Sequence, residues 1–177
     1  MTQEWLMAWD SQGTHRTGTA GDQAGAEWLA NQAASLGAEP VIHEFPFDRL
    51  DPVEAYLEFG DRSIPGVPVF DAPPSPGVSG ILGVEEGIAV VTLSPRAVYT
   101  PRYRDLRMHG LHRGLVIICQ GEEPGLGLLN AEQYRAPYGA PAIHVDTGDG
   151  PAIQAAAGQM ARLVSVSTRT RALAWNV

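Results

Sequence analysis

Between Gly21 and Gly37 apolar side chains recur at helical spacing. Ala26, Leu29, Ala30, Ala33 and Leu36 stand three and four positions apart, which predicts one apolar helix face. Asp22 is placed to cap the start of this helix, and Gly37 follows its last periodic residue, where a left-handed residue ends a helix. Residues 2–12 carry Trp5, Leu6 and Trp9 at the same spacing and predict a shorter helix whose tryptophans pack against the first. From Val41 to Phe47 the period drops to two, putting Val41, His43, Phe45 and Phe47 on one face. Pro46 marks that run as an edge strand or a strand end.

The pattern changes near Leu50, where Asp51-Pro52 punctuates the chain. Alternating segments follow at 53–59, 63–69, 78–84 and 88–93, separated by Gly60-Asp61, Pro65-Gly66, the 73–77 proline cluster and Glu86-Gly87. Short strands with such turns predict a small β-rich domain. Residues 94–103 read as a loop and 103–112 as a helical turn or two. Leu115–Cys119 is wholly apolar and reads as a buried strand. A glycine-rich loop spans 120–139, with a strand at 141–145 after it. A small helix follows at 150–158, capped by Asp149 and stopped by Gly158, and strands are expected at 160–168 and 172–177. The expected fold class is mixed α+β, a β-rich module attached to an N-terminal helix-loop-helix-strand unit.

Composition narrows the function. The chain has 177 residues, enough for one or two domains with a sizeable core. No apolar run approaches the roughly 18 residues of a membrane span. The first residues lack the basic and apolar regions of a secretory signal, so a cytoplasmic location is the default expectation. One cysteine, Cys119, excludes an intrachain disulfide framework and a multi-cysteine metal site. A net charge of −8 argues against general binding to nucleic acid or anionic membranes. All twelve basic residues are arginine, a usage that suggests a GC-rich bacterial coding sequence.

Three constellations could carry chemistry. Arg96, Arg102, Arg104, Arg107 and Arg113 fall close together, with Tyr99, Tyr103, His109 and His112 among them. Guanidinium groups grip carboxylates in bidentate fashion. In an extended loop Arg102 and Arg104 would point the same way around Tyr103, forming a carboxylate clamp; the other reading is a solvated loop with local ion pairs. His144 and Asp146 have the spacing that puts both on one strand face, so they are candidate metal ligands, with Glu122, Glu123 or Asp149 as the third. In the Glu122-Glu123 pair one carboxylate could accept a proton from metal-bound water while its neighbour holds the metal. The plainer reading of that pair is an acidic surface loop. No nucleophile elbow or dinucleotide loop is present: Ile81 stands where the elbow needs its second glycine, and Gly125-Leu-Gly127 lacks a third.

Arg16-Thr-Gly-Thr-Ala-Gly-Asp22, Ala26-Glu-Trp-Leu-Ala30 and Leu36-Gly-Ala-Glu39, together with Ala174-Trp-Asn-Val177 at the other end, carry a resemblance. They resemble the N-terminal signature and the resuming sheet strand of the co-catalytic zinc exopeptidases, the family of aminopeptidase Y, glutamate carboxypeptidase II and the transferrin receptor. In that family a β-rich protease-associated domain is often inserted between these points. The resemblance implies an N-terminal unit at 1–49 and 170–177 with an inserted protease-associated-like module at 50–169. It also implies that Glu39–Phe47 and Ala172–Val177 lie side by side in one sheet. Gly121-Glu-Glu-Pro-Gly-Leu126 resembles the family's glutamate element, but no H-x-D motif precedes it. The expected function is therefore a non-catalytic portion of a zinc-dependent exopeptidase-like hydrolase, shaping substrate access as a lid. No catalytic residue or zinc ligand would lie in this chain. The zinc would sit in a catalytic peptidase-like domain that partners it in cis, failing which the chain would self-associate. Two rivals stay open: a stand-alone module binding an acidic peptide or small carboxylate through Arg102, Tyr103 and Arg104, and a small complete metal hydrolase using His144, Asp146, Glu122 and Glu123.

Overall fold

A computed structural model describes residues 2–120 and 125–177. The elements run α1 (Thr2–Asp10), α2 (Ala20–Ser35), β1 (His43–Phe59), β2 (Arg62–Pro68), β3 (Ser75–Ile81), β4 (Ile88–Leu93), α3 (Pro101–His109), β5 (Gly114–Cys119), β6 (Ala142–Val145), α4 (Gly150–Ala155) and β7 (Met160–Asn176). The strands form one mixed sheet in the order β3-β7-β1-β2-β6-β5-β4. The chain divides into two compact units, Met1–Asp51 with Arg169–Val177, and Pro52–Thr168. Both long strands, β1 and β7, run from one unit into the other.

In the first unit the expected helix forms, but its start is set differently. Thr19, not Asp22, is the N-cap: its hydroxyl accepts from the Asp22 amide, while the Asp22 carboxylate accepts from the Gly18 amide at 2.8 Å. This is a reciprocal arrangement akin to a capping box, with aspartate at the third helical position. The C-terminus ends as expected. Gly37 takes φ +87°, and the Ala38 and Gly37 amides donate back to the carbonyls of Ala33 and Ala34. The buried face is narrower than the periodicity suggests. Gly25, Ala26 and Ala30 are buried, whereas Leu29 and Leu36 are exposed. Small residues there admit α1 closely: Trp9 stacks on His15 at 3.9 Å and both lie over Gly25, while Trp5 and Trp9 meet Trp28 at 6.4 and 5.6 Å.

The outer half of β1 neighbours the end of β7, so the expected adjacency holds from His43 onward. Arg171 reaches Asp48 and Trp175 reaches Glu44, each at 3.2 Å, so the partner numbers rise as the others fall and the two strands are antiparallel. The β1–β2 register covers only residues 56–59. Earlier in β1 no strand pairs on that side among the described residues, which is why Pro46 and Pro52 are tolerated in one strand 17 residues long. The expected break at Asp51-Pro52 is absent. Segments 160–168 and 172–177 likewise join into a single strand, β7. One face of this ribbon carries the 17–19 loop, since a Cβ on Gly18 would meet Phe47 and Ala172 at 2.5 and 3.0 Å.

The second unit is built around β5. Its six residues are all buried, and it is paired in parallel with β4 on one side and β6 on the other. Strands covered on both faces read as continuous apolar runs, as Leu115–Cys119 does. Val116 and Ile118 enter a cluster with Leu57, Ile143, Leu163 and the α4 residue Ile153. Leu115, Ile117 and Cys119 enter a second cluster with Val69, Val98 and the α3 residue Tyr103. Asp149 does not cap α4 through its side chain. Asp146 instead caps the turn before it, accepting from the Gly148 amide at 2.7 Å.

Candidate functional site

Segment 94–103 is not an extended loop. A 3-10 turn at Pro95–Tyr99 leads into α3, with Pro101 at the start and the Thr100 hydroxyl accepting from the Tyr103 amide. This corrects the geometry expected of Arg102 and Arg104. On a helix, residues two apart point about 200° away from each other, so they do not form two prongs of one clamp. Arg102 is exposed and lines a depression beside β4, whereas Arg104 turns the other way and pairs with Glu132 at 3.2 Å. Tyr103 points inward and is only 2% exposed. Arg96 and Arg113 are exposed.

Arg107, four residues after Tyr103, is the arginine that the fold uses most. It is fully buried. One terminal nitrogen donates to the Asp71 carboxylate at 3.0 Å and to the Tyr103 hydroxyl at 2.9 Å. The other donates to the backbone carbonyls of Asp71 at 3.0 Å and Tyr138 at 2.8 Å, and the guanidinium lies 4.3 Å from the centre of the Tyr138 ring. Asp71 is equally buried. Its second carboxylate oxygen accepts from the amides of Glu132 and Gln133, and its own carbonyl accepts from the Tyr138 amide. The pair therefore ties α3 and the β2–β3 connection to the long loop after β5. Burial raises the Tyr103 phenol above its ordinary range, so it stays a neutral partner. Asp71 was not singled out in the sequence, and its signal is faint: one acid closing the apolar run Val67–Phe70.

His144 lies on the same side of β6 as this pair and is 1% exposed. Its Nε2 accepts from the Leu129 amide at 3.2 Å, so the neutral ring carries its proton on Nδ1. Burial, and then the nearby Arg107 charge, push its pKa down to about 4, partly countered by Asp71. His112 is also buried and shifted downward, by burial first and Arg107 second. His144 and Asp146 are thus not joined in a metal centre: one is committed to a backbone amide and the other to a turn. Glu122 and Glu123 lie outside the described residues. Among the described residues no group of three or more His, Cys, Asp or Glu could hold a metal ion, so the donors that zinc needs are not assembled there. Cys119 is buried at the end of β5, and burial pushes its thiol up, away from nucleophilic use.

The first unit holds a second polar cluster around the resembling motif. Arg16 donates to Asp51 at 2.7 Å and to the Leu50 carbonyl; Arg49 donates to Asp51 at 2.8 Å and to the Gly18 carbonyl. Arg49, Thr170 and Arg16 hold the Asp51 carboxyl well below the usual carboxylate range. These contacts fix the loop before α2 on the β1–β7 ribbon, a structural role for the conspicuous Arg16.

The fold has counterparts among solved structures. It is similar to the zinc aminopeptidase from Bacillus subtilis, with a TM-score of 0.66 at 18% identity over 94% of this chain and 42% of that one. The peptidase M28 precursor from Shewanella amazonensis SB2B gives 0.62 at 15% identity over 95% and 48%. The aminopeptidase from Aneurinibacillus sp. strain AM-1 gives 0.56 at 18% identity over 90% and 42%. The chain spans less than half the length of each, and at these identities the likeness is one of fold. No protein-family model and no curated protein matches the sequence.

Two outcomes follow from the buried groups. Arg107→Met strands the Asp71 carboxylate without its cation and should cost about 3–5 kcal/mol, read as a lower urea midpoint. Arg104→Met, which breaks only the exposed pair with Glu132, should stay within about 1 kcal/mol of wild type. The His144 pKa is lower in the folded chain than in the unfolded one, so the unfolded state binds more protons between about pH 4 and 6.5. Stability is therefore full above about pH 6.5 and falls as pH drops towards 4, with about 2–4 kcal/mol traceable to His144 and a further part of the same sign from His112. His144→Gln keeps an acceptor for the Leu129 amide. Urea titrations across that range should show a shallower slope for this variant.

Proposed function

We propose that this chain is a non-catalytic portion of a zinc-dependent exopeptidase-like hydrolase: the start of the peptidase-like sheet, with the 52–168 unit serving as a protease-associated-like module that shapes substrate access. The observation that carries this reading is the likeness of fold over nearly the whole chain to less than half of a zinc aminopeptidase. His144 and Asp146, the histidine and acid spaced for metal ligation, are committed to the Leu129 amide and to the turn before α4. The ribbon of β1 and β7 also supports the reading. Strand alternation puts Pro46 and Leu173 on the face opposite Phe47 and Ala172, and Leu173 there is 45% exposed. Such a face fits packing against a peptidase-like domain in cis.

The function is tested by expressing the longer reading frame expected to contain this chain and assaying release of N-terminal residues from peptides, with and without a chelator. Chelator-sensitive release is expected, and a longer protein without it overturns the reading. Leu173→Arg separates the parts. In the 177-residue chain it should shift stability by no more than about 0.5 kcal/mol, as an exposed substitution does. In the longer protein it should lower the thermal midpoint by several degrees, because a charge would be buried against the partner domain.

A further inference from the structure

The sheet ends at β4, whose backbone groups alternate between β5 and the open side. The Gly87 carbonyl accepts from the Arg113 amide and the Leu93 carbonyl from the Gln120 amide, so odd-numbered residues direct their polar groups towards β5. Even-numbered residues point outward. The outward carbonyl of Ile88 is taken by the Gly83 amide, where β3 closes over the start of β4. Val90 and Thr92 make no backbone hydrogen bond outside the sheet ladder among the described residues, which leaves their outward N–H and C=O groups as a free edge.

Beside this edge runs a depression of about 430 Å³, lined by Val91, Thr92, Leu93 and Ser94 and, from α3, by Arg102 and Leu106 among others. Side chains of consecutive strand residues alternate between faces, so Val91, Thr92 and Leu93 border one depression together only where it follows the strand's edge. The floor is apolar, because Val91, Leu93 and Leu106 all pack on the cluster around Tyr103. Arg102 has no ion-pair or hydrogen-bond partner among the described residues, and Arg96 stands exposed on the turn between the strand and α3. Asp105 is also exposed on α3 but does not line the depression.

We propose that the edge of β4 and the flank of α3 form a strand-addition site for an extended peptide segment, whose carboxylate is held at Arg102. Val90 and Thr92 supply main-chain pairing, the Val91–Leu93–Leu106 floor takes alternate apolar side chains, and Arg102 selects a carboxylate at the segment's end. An unpaired strand edge beside a helix is the geometry in which an added strand gains both backbone bonds and a side-chain pocket. The free cation in a chain of net charge −8 favours a carboxylate-bearing segment over a neutral one. The site is contained in the 52–168 unit and stands whether or not the peptidase reading holds.

The test is amide chemical-shift mapping of the ¹⁵N-labelled 177-residue chain with the acetylated pentapeptide Val-Thr-Val-Thr-Val bearing a free C-terminal carboxylate. Shifts confined to residues 90–94 and 102–106 are expected, with slowed hydrogen exchange at the Val90 and Thr92 amides. The C-terminal amide of the same peptide should bind roughly fivefold more weakly, and Arg102→Ala should remove that difference. Two blocks isolate strand pairing. The peptide N-methylated at alternate residues should not bind, and neither should the unmodified peptide to Thr92→Pro, in which proline replaces an outward N–H that an edge strand can spare. Binding of the N-methylated peptide, shifts elsewhere on the chain, or an unchanged carboxylate preference in Arg102→Ala would overturn the proposal. A chain that sediments as a dimer through β4 and shows no peptide shifts would overturn it too.

Discussion

The buried pair of Arg107 and Asp71 is the constraint on which the 52–168 unit depends. Two opposite charges are removed from water there, and the cost is offset by converging polar contacts: a carboxylate, a phenol and two carbonyls on the two terminal nitrogens of the arginine, and two amides on the acid, with only the guanidinium Nε lacking a partner among the described residues. Such a pair tolerates no partial loss. It fixes the rotation of α3, which sends Tyr103 inward, aims Arg104 at Glu132 and leaves Arg102 over the β4 edge. It also anchors 132–138 of the long loop, so that residues without regular structure are held by four backbone groups, the amides of Glu132, Gln133 and Tyr138 and the Tyr138 carbonyl. The low pKa of His144 follows from the same placement, since a proton there would be buried beside the Arg107 charge.

That arrangement divides the arginine cluster by function. Positive charges that looked like one surface feature in the sequence divide into a buried strut at Arg107, an exposed ion pair at Arg104 and exposed cations at Arg96, Arg102 and Arg113. The two histidines within reach of the strut, His112 and His144, are pushed towards neutrality and serve as packing groups. Among the described residues no group of three or more His, Cys, Asp or Glu could hold a metal ion, while the sheet ends at the edge of β4 and Leu173 on the β1–β7 ribbon is exposed. Under the two proposals above, each of these is a contact surface for another segment.

The mixed α+β class was legible because its signals are local: period-two runs bounded by glycine and proline, an all-apolar β5, and a small-residue helix stopped by Gly37. The adjacency of β1 with β7 was legible only through the family resemblance, since no local signal joins segments so distant in sequence. Continuity of the long strands was missed. Pro46 and Pro52 break a paired strand, but they do not break one whose neighbour is missing on that side, and sequence does not show which side is open. The helical turns expected at 103–112 fall largely within α3, but its start at Pro101 was read as loop, for Pro-Arg-Tyr-Arg-Asp lacks an apolar stripe and the helix is held by Tyr103 and Arg107 on one buried line. Their partner Asp71 lies more than thirty residues upstream, beyond the reach of any periodicity.

On the proposed reading this chain contributes structure and contact surface, and His144 and Asp146 serve the Leu129 amide and a turn and hold no zinc. The most direct measurement is the zinc content of the purified 177-residue chain by mass spectrometry, after incubation with excess zinc and removal of the unbound metal. The account predicts far less than one zinc per chain, unchanged in His144→Gln. One or two tightly held zinc ions per chain, lost in that variant, would contradict it.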